Sequence, residues 1–111
     1  MSSQYIPECG DIVWVNFTPQ AGREQAGHRP ALVLSSQPYN KKTGLMVCCP
    51  MTTQIKGYPF EVVIARKTQS AVLADHVRSI DWQARNAKKK GKVTTAELLE
   101  VKEKIAALLG I

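Results

Sequence analysis

The chain has 111 residues, 44% of them hydrophobic and 22% charged, with a formal charge of +6. That length fits one domain, 1–111, large enough to bury a core without staples and small enough for a dimer to add useful buried surface. No apolar run approaches the ~20 residues that span a bilayer, and Met1-Ser2-Ser3-Gln4-Tyr5 has neither the basic region nor the apolar core of a signal peptide, so a cytoplasmic protein without membrane contact is expected.

Short segments of β type recur through the first four fifths of the chain: residues 11–17 (DIVWVNF), 30–35 (PALVLS), 44–50 (GLMVCCP), 59–64 (PFEVVI) and 71–74 (AVLA). They are rich in Val, Ile and Leu and bounded by Gly, Pro, Asn or Thr, the pattern of a compact all-β sandwich or barrel. Short helices are expected around residues 39–43 and 81–87, the second packing Trp82 on the barrel while Arg85 and Lys88 face water. The strongest helix signal comes last. Thr94-Thr95-Ala96-Glu97 fits a capping box, Leu98, Val101, Ile105 and Leu108 keep helical spacing, Glu100 precedes Lys104 by one turn, and Gly110 is a stop. Its apolar face must cover an opening or flank of the barrel. Of the three cysteines, Cys48 and Cys49 are adjacent in a strand and point to opposite faces, while Cys9 stands alone, so they form neither a disulfide framework nor a C-x-x-C metal pair.

The charge is unevenly placed. Residues 1–93 carry 13 Lys and Arg against 6 Asp and Glu, so the body of the domain, not its terminal helix, is basic. Such a surplus suggests a polyanionic partner, most simply nucleic acid held through its phosphates. The run Lys88-Lys89-Lys90-Gly91-Lys92 reads equally as a phosphate contact or as a solvated face.

Two segments could carry chemistry. Gly22-Arg23-Glu24-Gln25-Ala26-Gly27-His28-Arg29-Pro30 sets a carboxylate and a guanidinium in a glycine-punctuated loop that enters an apolar strand, and Pro30 biases Arg29 towards an extended conformation. Taken alone it reads more readily as a surface loop. Pro50-Met51-Thr52-Thr53-Gln54-Ile55-Lys56-Gly57-Tyr58-Pro59 clusters two hydroxyls, an amide and a lysine where a buried strand emerges, and these are phosphate-contact residue types. Attack of a ribose 2′-OH on the adjacent phosphorus needs a base, positive charge for the phosphorane oxygens and a donor for the leaving 5′-oxygen. Glu24, Arg29 and Thr52 can supply these without metal, Arg29 first as an electrostatic group because it cannot be titrated free in water. His28 and His76 are far apart and read as surface or packing residues, with no H-x-x-x-H or clustered-carboxylate site, and no metal or other cofactor is expected. The phosphate-binding, dinucleotide and nucleophile-elbow glycine motifs are missing too.

In order along the chain, Gly10-Asp11-Ile12-Val13-Trp14-Val15, Gly22-x-Glu24-Gln25-x-Gly27-x-Arg29-Pro30, Pro50-x-Thr52-Thr53-Gln54, Lys56-Gly57-Tyr58-Pro59-Phe60, Ala74-Asp75-His76-Val77-Arg78-Ser79-Ile80 and Ala84-Arg85 closely resemble the MazF/PemK toxin family. The resemblance implies a mainly β fold, a small SH3-like antiparallel barrel with short helices and a C-terminal α-helix. It implies the toxin of a toxin–antitoxin pair: a sequence-specific, metal-independent endoribonuclease that cuts single-stranded mRNA, works as a homodimer and is neutralised by an acidic MazE-like antitoxin lying over the RNA groove. Carried onto this chain, the catalytic group is Glu24, Arg29 and Thr52, and the RNA contacts are Phe17, Thr18, Gln25, Thr53, Gln54, Lys56 and His76. Three departures bear on the bases read: His76 stands where MazF has glutamine, Met51 replaces a smaller residue, and the loop 65–71 is one residue shorter. A CcdB-like poison of topoisomerase, non-catalytic on the same barrel, is the alternative; it has no need of Glu24, Arg29 and Thr52 together with a basic body. A barrel that merely binds nucleic acid ranks third, since only 6% of residues are aromatic and Trp14 and Phe60 suit the core.

Overall fold

The computed structural model describes residues 4–17 and 27–111. Seven strands and two helices follow in the order β1 (Asp11–Asn16), β2 (His28–Val33), α1 (Gln37–Thr43), β3 (Leu45–Thr52), β4 (Glu61–Ile64), β5 (Ser70–Leu73), β6 (Arg78–Asp81), β7 (Lys88–Lys92) and α2 (Thr95–Leu109), with a 3₁₀ turn at Ala74–His76 before β6. The five expected strands are β1 to β5, their ends moved by a residue or two.

All pairings are antiparallel, and the strands run β4-β5-β3-β2-β1-β7 with β6 also on β3. β3 is where the sheet curls. One edge pairs with β2 (Ala31↔Pro50, Leu32↔Cys49, Val33↔Cys48), while the other pairs with β6 from Leu45 to Cys48 and with β5 at Met51 and Thr52. Pro50, which has no N–H to give to a ladder, lies where that second edge changes partner, a position an interior strand can spare. The result is a mainly β, curled antiparallel half-barrel with a helix at its end.

Both faces of the curl are buried, and strand alternation sorts the residues between them. Ile12, Leu32, Cys49, Met51, Val62, Ile64 and Val72 form one core with Val101 of α2, and Leu98 and Ile105 pack against it. Val13, Val15, Phe17, Ala31, Val33, Met46, Cys48, Ile80 and Trp82 form the other. The adjacent cysteines therefore do enter opposite cores, and burial pushes both thiols up to about 12, which leaves them protonated and inert.

Helix α2 begins as the sequence predicts: Thr94 Oγ1 accepts the Glu97 N–H (3.1 Å), Glu97 Oε1 accepts the Thr94 N–H (2.8 Å), and Gly110 ends the helix at φ 73°. Two features differ from expectation. Leu108 is 42% exposed, outside the core that Val101 enters, and Lys104 donates to the Pro59 carbonyl (2.7 Å), tying α2 to the chain before β4. In α1, buried Asn40 donates to the Pro7 carbonyl (2.8 Å) and through its own carbonyl receives the Trp82 indole N–H (2.9 Å).

The helix expected over residues 81–87 does not form. Asp81 closes β6 and caps a single turn, its carboxylate accepting the N–H groups of Gln83 and Ala84 (3.1 and 2.9 Å) and its backbone carbonyl the Arg85 N–H (3.1 Å). Asn86 then adopts φ 55° and returns the chain as a succession of turns. Trp82 is buried there nonetheless. Sequence reading also missed two strands. In β6 only Ile80 is buried, opposite Met46, so no apolar run marks it. β7 is the lysine run itself, held as the outer neighbour of β1 across a bulge between Ile12 and Val13.

Candidate active site

Arg29 and Thr52 come from neighbouring strands, one at the start of β2 and the other at the end of β3. The β2–β3 pairing runs to Ala31↔Pro50, so both residues lie just beyond that end of the ladder, each two positions on. Both are half-buried, and both line an open cleft of about 480 Å³ whose walls also include Trp14, His28, Thr53 and Lys90. A guanidinium and a hydroxyl are thus brought into one cleft, each on a strand held by pairing, Arg29 with Val15 and Thr52 with Ala71. Thr52 Oγ1 accepts the Gln54 N–H (3.1 Å), so its hydroxyl hydrogen remains available to a ligand.

Glu24, Thr18 and Gln25 lie outside the described residues. The chain on either side of them is fixed: the Phe17 N–H donates to the Gly27 carbonyl (2.8 Å), and Gly27, at φ 80°, turns the chain into β2 two residues before Arg29.

The remaining expected RNA contacts divide. Thr53, Gln54 and Lys56 are exposed on the loop between β3 and β4. His76 ends the 3₁₀ turn between β5 and β6, partly exposed, its Nε2 4.0 Å from the Asp75 carboxylate. Phe17 is different in kind. Its side chain is fully buried in the second core, with the Arg78 guanidinium 5.5 Å from the ring centroid, so the ring supports the strand end and does not offer a surface for stacking. Alternation predicts this, because Phe17 continues the Val13, Val15 face.

Three groups are placed by the structure in ways the sequence leaves open. Trp14, expected in the core, is half-buried at the cleft and stacks on exposed His28 with ring centroids 5.2 Å apart and planes 14° from parallel. The register explains the pair: Trp14 faces Pro30 across β1 and β2, and His28 is the diagonal neighbour two residues on. Lys90 lies over the same indole at 5.4 Å, while Lys89 reaches to 3.8 Å from buried Asp11, so β7 is at once a structural strand and a basic edge. Finally, Arg78 and Arg85 gather where β1 ends: Arg85 donates to the Asn16 carbonyl (3.0 Å), and both arginines bear electrostatically on the Cys48 thiol. Alignment of distant segments by β6 and the turn after it creates this cluster, which no local spacing encodes.

The cleft wall is braced from behind. Arg66 grips the Glu97 carboxylate with two hydrogen bonds (2.8 and 3.0 Å) and donates to the Lys92 carbonyl (3.3 Å). Those bonds, with the capping-box donors, hold Glu97 down to about 2. Among the described residues there is no group of three or more His, Cys, Asp or Glu that could hold a metal ion, and no helix long and apolar enough to cross a membrane.

Residues 8–109 match the family described as PemK-like, MazF-like toxin of type II toxin–antitoxin system. The chain is 56% identical to the endoribonuclease toxin MazF of Escherichia coli K12 over 99% of its own length and all of that protein. It is 31% identical to the endoribonuclease PemK of Escherichia coli, over 92% of the chain and 81% of PemK. Among solved structures, MazF from Deinococcus radiodurans superposes with a TM-score of 0.94 at 51% identity, covering 97% of this chain and all of that one. A MazE–MazF crystal structure from the same organism follows at 0.88 and 51%, covering 97% and 99%.

Proposed function

Because the chain belongs to the PemK-like, MazF-like toxins of type II toxin–antitoxin systems, we propose that it is a single-domain, cytoplasmic endoribonuclease that cuts single-stranded mRNA without a metal ion and so arrests translation. Relatives named endoribonucleases match essentially the whole chain, which favours this reading over a non-catalytic poison on the same barrel.

The observation that carries the mechanism is the meeting of Arg29 and Thr52 in one cleft, at the end of the sheet where Gly27 returns the chain to β2. Glu24, three residues earlier, is within about 11 Å of backbone from Gly27. In the reaction Glu24 takes the proton of the ribose 2′-OH, whose oxygen attacks phosphorus. Arg29 neutralises the charge that gathers on the non-bridging oxygens, a contribution made mainly in the transition state. Thr52 donates its free hydroxyl hydrogen to the same phosphoryl group. The bond to the 5′-oxygen breaks and that oxygen takes up a proton from water, while Glu24 returns its proton to solvent, leaving a 2′,3′-cyclic phosphate and a 5′-hydroxyl. Since Arg29 supplies the positive charge, none of these steps calls for a metal.

Thr53, Gln54 and Lys56 on the exposed loop, with Thr18, Gln25 and His76, hold the RNA on either side of the scissile bond, and the chain at Phe17 sets the height of the strand end. Two copies pair to extend the basic surface, and an acidic antitoxin related to MazE covers it, competing with RNA for the same cations; a solved relative was crystallised as a MazE–MazF complex. Sequencing the 5′ ends left on a long defined RNA tests activity and specificity together. Cleavage should persist in excess EDTA and stop when the scissile ribose is 2′-deoxy; a cut at the deoxy position rules out the 2′-OH mechanism.

A further inference from the structure

The loop between β3 and β4 carries Thr53, Gln54 and Lys56 and is exposed from residue 53 to residue 59. Such a loop has no core to set its shape, yet it must present side chains to an RNA in one arrangement. Its shape comes instead from one carboxylate. Glu61, the first residue of β4, accepts the backbone N–H groups of Lys56 (3.1 Å), Gly57 (2.7 Å) and Tyr58 (3.2 Å) on Oε1, with Lys56 also 3.3 Å from Oε2. Three consecutive donors converging on one anion form a backbone nest, and Gly57 provides the positive φ of 78° that lets them converge. The Glu61 N–H donates back to the Tyr58 carbonyl (3.0 Å), and β4 itself is anchored by pairing Glu61 with Leu73. At the other end of the loop Gln54 N–H is held by Thr52 Oγ1.

We infer that Glu61 is a positioning residue for RNA recognition: it touches no substrate, and its charge gathers the Lys56, Gly57 and Tyr58 amides so that Lys56 and its neighbours stand at a fixed height and direction relative to Thr52. This rests on the reading of the loop as an RNA contact. Binding and base choice depend on Glu61, whereas bond breaking at Arg29 and Thr52, placed by the sheet, does not.

The test compares Glu61→Gln and Glu61→Ala with Gln54→Ala and Lys56→Ala, measuring steady-state cleavage of a short RNA that holds one preferred site, the spectrum of cut sites on a long RNA, and amide exchange at residues 56–58. Charge-assisted bonds to backbone N–H are about twice as strong as neutral ones. Glu61→Gln, which keeps an acceptor but loses the charge, should therefore raise KM by about fivefold and Glu61→Ala by about tenfold or more. In both, kcat should stay within about twofold, exchange at 56–58 should accelerate and cuts at secondary sites should increase. If kcat and thermal stability fall together while KM and the cut-site spectrum hold, Glu61 is merely structural and the inference is overturned. If Lys56→Ala and Gln54→Ala raise KM but both Glu61 variants leave it unchanged, the inference alone fails. If Lys56→Ala and Gln54→Ala also leave KM unchanged, the reading of the loop fails and takes the inference with it.

Discussion

Along β3, Met46, Cys48 and Cys49 are fully buried between two cores and fixed by pairing with β2 and β6, whereas from residue 53 to residue 59 the chain is exposed and held by hydrogen bonds to its own side chains. The first half is specified by contacts from distant parts of the sequence. The second is specified by neighbours: Thr52 for Gln54, Glu61 for residues 56–58. For the proposed function both matter, a sheet that brings Arg29 and Thr52 into one cleft and an exposed loop whose side chains can meet bases. Substitutions in the first region should cost stability and those in the second should cost recognition, with the Arg29–Thr52 cleft at the boundary costing rate alone.

The largest effect is expected in the buried half. Trp82→Ala removes an indole from the second core and its hydrogen bond to the Asn40 carbonyl, and should lower stability by about 3–5 kcal/mol, measured by urea unfolding. Loss below about 1 kcal/mol would show that this core does not carry the fold. At the boundary, Arg29→Ala and Glu24→Ala should each slow single-turnover cleavage by about a hundredfold or more while leaving the unfolding midpoint unmoved. Near-normal rates in both would break the assignment of the cleft as the active site.

How legible each region was follows from the same division. β1 to β5 could be read because their apolar residues recur at strand spacing, and α2 because its cap is a local sequence device. β6 and β7 could not: Ile80 is a lone apolar residue and the lysine run has no buried face of its own, so pairing with β3 and β1 makes them strands. The stretch 81–87 stays a single capped turn because Asn86, at φ 55°, turns the chain out of the helical course. Arg29 and Thr52, named from motif and residue type, line one cleft. Trp14 was misplaced because alternation tells which face a residue takes but not where along that face the core ends. The role of Glu61 is not legible in the sequence, since nothing in its spacing reveals that three N–H groups converge on it.

Smaller effects sharpen the comparison further. Glu97 is held to about 2 by Arg66 and by the helix cap, below its ordinary 4.5. A carboxylate with a depressed folded value contributes stability that is present above about 4.5 and lost as pH falls from there towards 2. Glu97→Gln should therefore flatten the acid limb of the stability curve between those values and cost about 1 kcal/mol at pH 7, an exposed pair with a cap being worth little more. A parallel acid limb in the variant would place the acid sensitivity elsewhere. Lys56→Ala, on the exposed loop, should weaken RNA binding and lower the slope of log Kd against log salt by about 0.7, the amount for one single-strand phosphate contact, with the thermal midpoint unchanged.

The smallest change in rate should come from His76→Gln. His76 sits on the 3₁₀ turn between β5 and β6, away from the Arg29–Thr52 cleft in sequence yet on the chain that joins the two strands flanking the same edge of β3. Glutamine keeps a donor and an acceptor at that point but places them on a more flexible, unringed side chain. If the residue reads a base, the substitution redistributes cuts among sites on a long RNA while kcat on the best site stays within about twofold. The same cut sites with an altered rate would instead place His76 in the mechanism, and no change in either would remove it from the recognition residues.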